Sequence, residues 1–534
     1  MGNVEVSPDF APRVEPRPAK RWNALEFEGA ELPPPRCDSE TYHQKAVEWP
    51  IPHAVVASVD AMDMNQDGYP DIVLAEGSDM PGAEGYLRIV WNPNRPAGPD
   101  WATNRKDSWF RVRVSDMNSD GMPDVVGTIY RPTANGENSS PSDLAFVYLS
   151  KDGALPMEPS AVIGVPGNLI GSGVHFADVN GDNMLDMGLL TTDMATRQPH
   201  PFHFYATTKG GVSSEPIWSS ETKIVYQSGA STVDINQDGA LDLLIVSEMP
   251  QYLHVFLGVI EDGRYHLSTR AEAWTYPDHQ KVVATTIDVA TSDQGMRVLV
   301  GFNDQFCPDN PKGTDPRERA SCDGPLTLIN NDGQLVGTAP WRHMWGAARF
   351  LWFSKRDSAI FGAHWNYTLD DYGNKIREPG PAVLYCGTSD DPFQESVELT
   401  PGVTYFGIDS TVADFDQRGA KRMKFRHQTR ARLTQGLGLP PRVAAVHEVL
   451  VHGRPLDPAH YTVTPGATAI SFAPPLPEDS HIEMLLETSW STDIAVADVN
   501  PQGRDSIPII SRSHSPTPPS DPPAGPRSQD ERKQ

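Results

Sequence analysis

The stretch that most constrains this chain is "DMNQDGYPD", from Asp63 to Asp71. Asp63, Asn65 and Asp67 alternate, Gly68 stands at the sixth place, and Asp71 closes the run. Oxygens at alternate positions converge when a chain curls, and calcium takes about six to eight such donors from a loop. An EF-hand would need a bidentate Glu at the twelfth place. Leu74 stands there instead. The flanks, "HAVVASV" and "IVLA", are apolar and β-branched with no helical period. The pattern predicts a strand–loop–strand unit with the metal in the turn.

The pattern recurs. "DMNSDGMPD" supplies Asp116, Asn118, Asp120 and Asp124; "DVNGDNMLD" supplies Asp178, Asn180, Asp182 and Asp186, with Asn183 in place of the glycine; "DINQDGALD" supplies Asp234, Asn236, Asp238 and Asp242. Successive starts are 53, 62 and 56 residues apart. One acidic turn would be ordinary surface chemistry. Four at nearly one period, each between strand-like runs, predict an all-β propeller with calcium in its inter-strand loops. The seventh-place carbonyls of Tyr69, Met122, Met184 and Ala240 complete the protein donors, and water fills the rest. About four calcium ions are expected, as staples of tight turns rather than as chemical agents, since calcium activates water poorly beside zinc.

These residues resemble the FG-GAP or VCBS repeats of integrin α-chain-type propellers, whose loop reads D-x-[DN]-x-D-G-x-x-D. The loops at Asp63, Asp116 and Asp234 match it fully, and the one at Asp178 departs only at Asn183. The resemblance spans roughly Glu48 to Ser511. It implies a calcium-stabilised propeller, usually outside the cytoplasm, that binds proteins or glycans.

Later repeats decay. Asp288 keeps the first place of a fifth loop, but Ala290, Ser292 and Met296 hold the other ligand places, so no metal is expected there. "WGAARFLWFSKRDSAIFGAHW" keeps strand character without acids. Asp414, Asp416 and Gly419 survive beside Arg418 and Arg422, where a guanidinium stands in for calcium or the charges are simply solvated. Asp498, Asn500, Gln502 and Ser506 form a last, weak loop. Counting every position gives eight blades; family habit gives seven. The strand in "HQKAVEWPI" is expected to pair with the final strands and close the ring. The long interval before Asp498 holds short alternating strands with Gly/Pro turns, read as an inserted β-module over residues 435–487, similar to small modules of phage fibres and bacterial surface proteins. The propeller then spans 37–512, between a Pro-rich arm (1–36) and a disordered Pro-rich tail (513–534).

The formal net charge is −26, with no sustained basic patch, which argues against nucleic acid. No transmembrane run and no signal peptide stand in the sequence. Modest calcium sites suit millimolar extracellular calcium, so a secreted, periplasmic or cell-surface location is expected. Cys307 and Cys322 bracket a polar loop that a disulfide would pin. Cys37 and Cys386 either tie the N-terminal arm to a late blade or stay free thiols.

No catalytic motif stands out. His200 and His203 have a possible metal spacing, but i and i+3 on a strand face opposite ways. The cluster Trp341, Trp345, Trp352, Phe353, Trp365 and Tyr367 either stacks on sugars or fills the gaps between blades, the second being the ordinary use. The functional expectation is a non-enzymatic interaction or adhesion module, or a scaffold subunit, with a protein or glycan partner. The alternative is a polysaccharide-binding or polysaccharide-active (lyase or hydrolase) propeller.

Overall fold

The computed structural model describes residues 26–28, 37 and 46–510, apart from 78–83, 131–142, 166–169, 193–197, 237, 248–251, 262–263, 275–282, 293–294, 304–323, 341–343, 354–357, 370–374, 389, 399–406, 414–419, 429–436, 440–442, 465–468, 478–479, 490–492 and 499–503. The described residues form strands and one 3-10 turn, Pro458–His460, with no α-helix among them.

Antiparallel sheets succeed one another along the chain. Their innermost strands are Val56–Met62, Trp109–Ser115, Ile170–Ala177, Gly229–Val233, Val283–Ser292, Met344–Phe353 and Gly407–Ala413. Each packs against the next, and the last against the first, so the fold is a closed β-propeller. Blades two to six have four strands; in blade one the fourth is reduced to an isolated bridge, Arg88 to Ala102. Blade seven consists of Gly407–Ala413, Asp493–Asp498, Arg504–Ile510 and, outermost, Ala46–Ala54 from the other end of the chain. That is the pairing expected of "HQKAVEWPI", and it removes the open edge a ring cannot leave exposed.

The described residues thus form seven such sheets, and the motif count of eight overstates them by one. Asp414 follows the inner strand of blade seven, while Asp498 ends the second strand of the same blade. Between them the chain leaves the ring. It builds a five-stranded sheet in the order Glu26–Glu28, Ala420–Gln428, His481–Ser489, Val443–Val451 and Arg454–Pro455. A three-stranded sheet packs beside it, Leu437–Gly438, Ala469–Phe472 and Tyr461–Val463. Leu437, Val449, Ile470, Phe472, Met484 and Leu486 make the core of this module. Its sheet begins earlier than residue 435, at Ala420, and enlists Glu26–Glu28 from the arm. "AKRMKF" reads as a blade strand from the period, because alternation looks the same in either sheet; its partner, His481–Ser489, takes it out of the blade.

The second strands explain why the sequence runs apolar there. Asp71–Glu76, Asp124–Ile129, Asp186–Thr192 and Asp242–Val246 are buried at every position. A strand covered on both faces by neighbouring blades has no polar side to alternate with. The apolar clusters lie between blades: Leu87, Trp109, Val125 and Phe146 join blades one and two, and Leu144, Val174, Met187 and Tyr205 join two and three. Trp49 and Ile51 of the closing strand pack on Val59 and Leu74 of blade one. At about 1.5–3 kcal/mol for each large side chain taken from water, these contacts outweigh any single turn in holding the ring. Cys37 is bonded to Cys386 on the third strand of blade six, Cα–Cα 5.8 Å, which ties the arm to the ring. Cys307 and Cys322 lie outside the described residues.

Candidate metal centres

All four intact loops join the first strand of a blade to the second, in blades one to four. The backbone explains the consensus. Gly68, Gly121 and Gly239 at the sixth place have φ of 91°, 88° and 94°. An L side chain is strained there, although at Gly121 there would be room for a Cβ.

Each first-place Asp clasps its own loop. Asp63 accepts the amides of Asp67 and Gly68 at 3.0 and 2.7 Å, and Asp234 accepts those of Asp238 and Gly239 at 3.0 and 2.9 Å. Asp116 and Asp178 do the same in loops two and three. The third-place amides also take the fifth-place N–H: Asn65, Asn118, Asn180 and Asn236 accept from Asp67, Asp120, Asp182 and Asp238. The fifth-place carboxylates accept from Tyr69, Met122, Met184 and Ala240.

The ninth-place Asp behaves differently. Asp71, Asp124, Asp186 and Asp242 are almost fully buried. One oxygen of each accepts an amide from the second place of the loop, Met64, Met117, Val179 or Ile235. The other accepts from the region of the third strand: Asn92, Ser150, Thr207 or Gly258, at 2.9, 2.8, 3.3 and 2.7 Å. Burial first, then the neighbouring loop acids, pushes these carboxyls up, Asp71 to about 6, Asp124 and Asp186 to about 7, and Asp242 to about 8. Asp116 and Asp178 are also raised, chiefly by burial.

The first three loops are joined in series. The Gln66 side chain donates to the Gly121 carbonyl, and Ser119 Oγ donates to the Asn183 carbonyl at 2.9 Å. Asn183, the one departure from the consensus, has φ of 67°, which Asn tolerates better than most residues. Its Oδ1 accepts from Ser471 Oγ of the inserted module at 2.9 Å. Ile260 and Tyr265, on a hairpin of blade four, meet the module at the same place. The module therefore reaches across the loop side of the ring, from blade seven to blades three and four.

A family model described as FG-GAP-like repeat matches residues 63–127, from the first acid loop into the second strand of blade two. The chain is a β-propeller whose first two acid loops match the FG-GAP-like repeat. No curated protein sequence matches it significantly. Among solved structures it is similar to BBS1N in complex with ARL6DN, in crystals soaked with mercury or lead. Identity is 9% in both, over 71% of this chain and 93% or 94% of that one, with TM-scores of 0.39 and 0.41. It is also similar to the V. cholerae biofilm matrix protein Bap1, at 12% identity over 86% of this chain and 73% of that one, TM-score 0.34. At such values the fold rests on the sheets described above, not on these neighbours.

Elsewhere in the propeller the acids do other work. Asp288 is not in a loop: it lies mid-strand opposite Leu299 and accepts the amides of Val289 and Phe350. Asp414, Asp416, Arg418, Gly419, Asn500 and Gln502 lie outside the described residues. His200 and His203 do not form a joint site; His200 Nε2 meets the Thr191 carbonyl and His203 Nδ1 meets Ser219 Oγ. Trp345 is buried and donates to the Gly324 carbonyl, so it packs between blades. The other side chains of that aromatic cluster lie outside the described residues.

Among the described residues no three His, Cys, Asp or Glu side chains are gathered as a ready-made metal site; the loop acids are spread over their own amides. The donors nevertheless fit calcium in kind. Each loop offers three carboxylates, an amide oxygen and main-chain carbonyls, all hard oxygens, with no thiolate or imidazole. The partners of the ninth-place acids were not foreseen from sequence, because main-chain donors on another strand leave no mark on residue type.

Proposed function

We propose that this protein is a calcium-stabilised propeller that serves as an extracellular interaction or adhesion module, or as a scaffold subunit of a larger assembly, and not as an enzyme. The observation that carries this reading is one acid loop repeated at the first turn of four consecutive blades, each with its last carboxylate buried among like charges. Calcium would be held by the oxygens of the first, third, fifth and ninth places, with the seventh-place carbonyl. It would supply positive charge to carboxylates that accept main-chain amides.

The Cys37–Cys386 disulfide favours an oxidising compartment, where calcium is also plentiful. Among the described residues no helix is long and apolar enough to cross a membrane. A fixed platform carrying an added module, with its first three loops locked in series, suits recognition of a protein or glycan partner better than turnover. The test is to assay the purified, calcium-loaded protein on a panel of polysaccharides and esters. No turnover is expected. Turnover abolished by one acid-to-amide change would overturn the non-enzymatic reading.

A further inference from the structure

The inserted module lies over loops three and four, and its seat is built from the loops themselves. Among the described residues no strand of the module pairs with a strand of the ring, so this seat is not a shared sheet. Asp178 and Asn183 of loop three, Leu241 of loop four and Tyr265 line one cavity together with Ile470 and Ser471 of the module. Its volume, about 20 Å³, is little more than a single water needs, so the two surfaces fit closely.

Loop four is clamped by the blade-four hairpin, Gly258–Glu261 and Arg264–Leu267. The Gly258 amide donates to Asp242 at 2.7 Å, and Tyr265 Oη donates to the Leu241 carbonyl at 2.8 Å. A Cβ at Gly258 would stand 2.1 Å from that carbonyl, so only glycine permits the approach. Ile260, on the same hairpin, packs against the apolar core of the module.

Loop three is joined to the module through one residue. Asp178 accepts the Asn183 amide at 2.9 Å, and Asn183 Oδ1 accepts from Ser471 Oγ at 2.9 Å. A path of hydrogen bonds thus runs from a first-place acid, through the sixth place, to the module. The other three loops carry Gly at the sixth place, with no side chain to make such a link. Asn183 keeps the left-handed bend, φ 67°, and adds an acceptor that glycine lacks. Asp178, Asp182 and Asp186 share loop three, and like charges repel until a cation balances them. Whatever fixes this loop fixes the Asn183 side chain, and with it the seat of the module. Linkage runs both ways: a ligand that favours the docked form is itself bound more tightly by that form.

We propose that docking of the inserted module is coupled to calcium at loop three: calcium favours the docked module, and the docked module strengthens calcium binding at that loop. The inference rests on the calcium reading of the loops and adds that loop three controls a movable part, where the open loops one and two only brace a turn.

The test is hydrogen exchange of the full chain in calcium and in chelator, with a metal count on each sample. Chelator should speed exchange in Tyr461–Val463 and Ala469–Phe472 at least about tenfold, while His481–Ser489, inside the module, stays protected. Asn183→Gly restores the consensus loop and removes the acceptor. It should keep the wild-type metal count, yet exchange about fivefold faster in those two strands in calcium, the gap closing in chelator. If Asn183→Gly does not fold, Ser471→Ala makes the same comparison from the module side. Bound metal with equal exchange in calcium and chelator would overturn the coupling and leave the staples standing. So would a folded variant that exchanges like wild type in calcium, or a gap that persists in chelator. No bound metal in wild type would overturn both.

Discussion

Blades one to four and blades five to seven solve the same problem in different ways. Blades one to six pass directly from inner strand to second, and in blade seven the inserted module stands between the two. In the first group an acidic loop makes the turn, its carboxylates accepting the amides a tight bend leaves unpaired. In blade five the loop is gone and the ladder simply runs on, with Ala290 opposite Arg297 and Ser292 opposite Gly295. Blade six carries the disulfide to Cys37, and blade seven is closed by Ala46–Ala54 and interrupted by the inserted module. The difference teaches that the metal-type loop is one means of fixing a turn. Where its acids are lost, longer strand pairing, a covalent tie and chain closure hold the ring together.

Five outcomes would sharpen or break this contrast. The largest concerns the rear half: replacing Cys37 and Cys386 together by Ser should cost about 2–5 kcal/mol. Chemical denaturation should show the same loss in calcium and in chelator. A loss that appeared only in calcium would show that the halves are not independent. In the front half, Asp242→Ala strips acceptors from two buried amides, those of Ile235 and Gly258, and should cost about 2–4 kcal/mol even without metal. Asp67→Ala or Asp120→Ala, at exposed positions, should cost less in chelator and mainly shrink the gain from added calcium. Equal melts of these variants and wild type in both conditions would break the staple argument.

Smaller again is a pH effect at His175, on the inner strand of blade three. The folded pKa of His175, about 4, lies below its ordinary value near 6.5, so the neutral ring is favoured. Its contribution to stability is full above about pH 6.5 and is lost as pH falls toward 4. Melts of wild type and His175→Gln should therefore converge as pH drops from 7.5 to 4.5; a gap that does not narrow would count against the burial of Nε2. The smallest effect, about 1 kcal/mol, is expected for Ser471→Ala, which loosens the module from loop three. Faster hydrogen exchange at Asn183 would register it.

The sequence made the loops legible because their chemistry is local: nine residues carry the acids, the bend and the flanking strands. The β-propeller followed from their period, and the closing strand from the need to pair an edge. What stayed hidden was non-local. The blade count stayed open between seven and eight because "VADFDQRG" and "VADVNPQG" both look like the end of an inner strand, while only pairing places Gly407–Ala413 and Asp493–Asp498 on one sheet. The module strand Ala420–Gln428 has the same alternation as a blade strand. Asn183 looked like a lapse in the consensus until Ser471, far along the chain, came to lie against it. Arg111 and Arg113 stand in "FRVRV", where two cations two places apart share a face of an otherwise apolar strand. Nothing local says that this face turns toward the ring axis.

The central claim is that four acid loops are calcium staples. A thermal melt of the purified protein in calcium and then in chelator, with a metal count on the same sample, tests it most directly. The account predicts a large drop in melting temperature on chelation and about four bound ions per chain, one for each intact loop. An unchanged melt with no bound metal would contradict it, leaving the acids as amide acceptors alone.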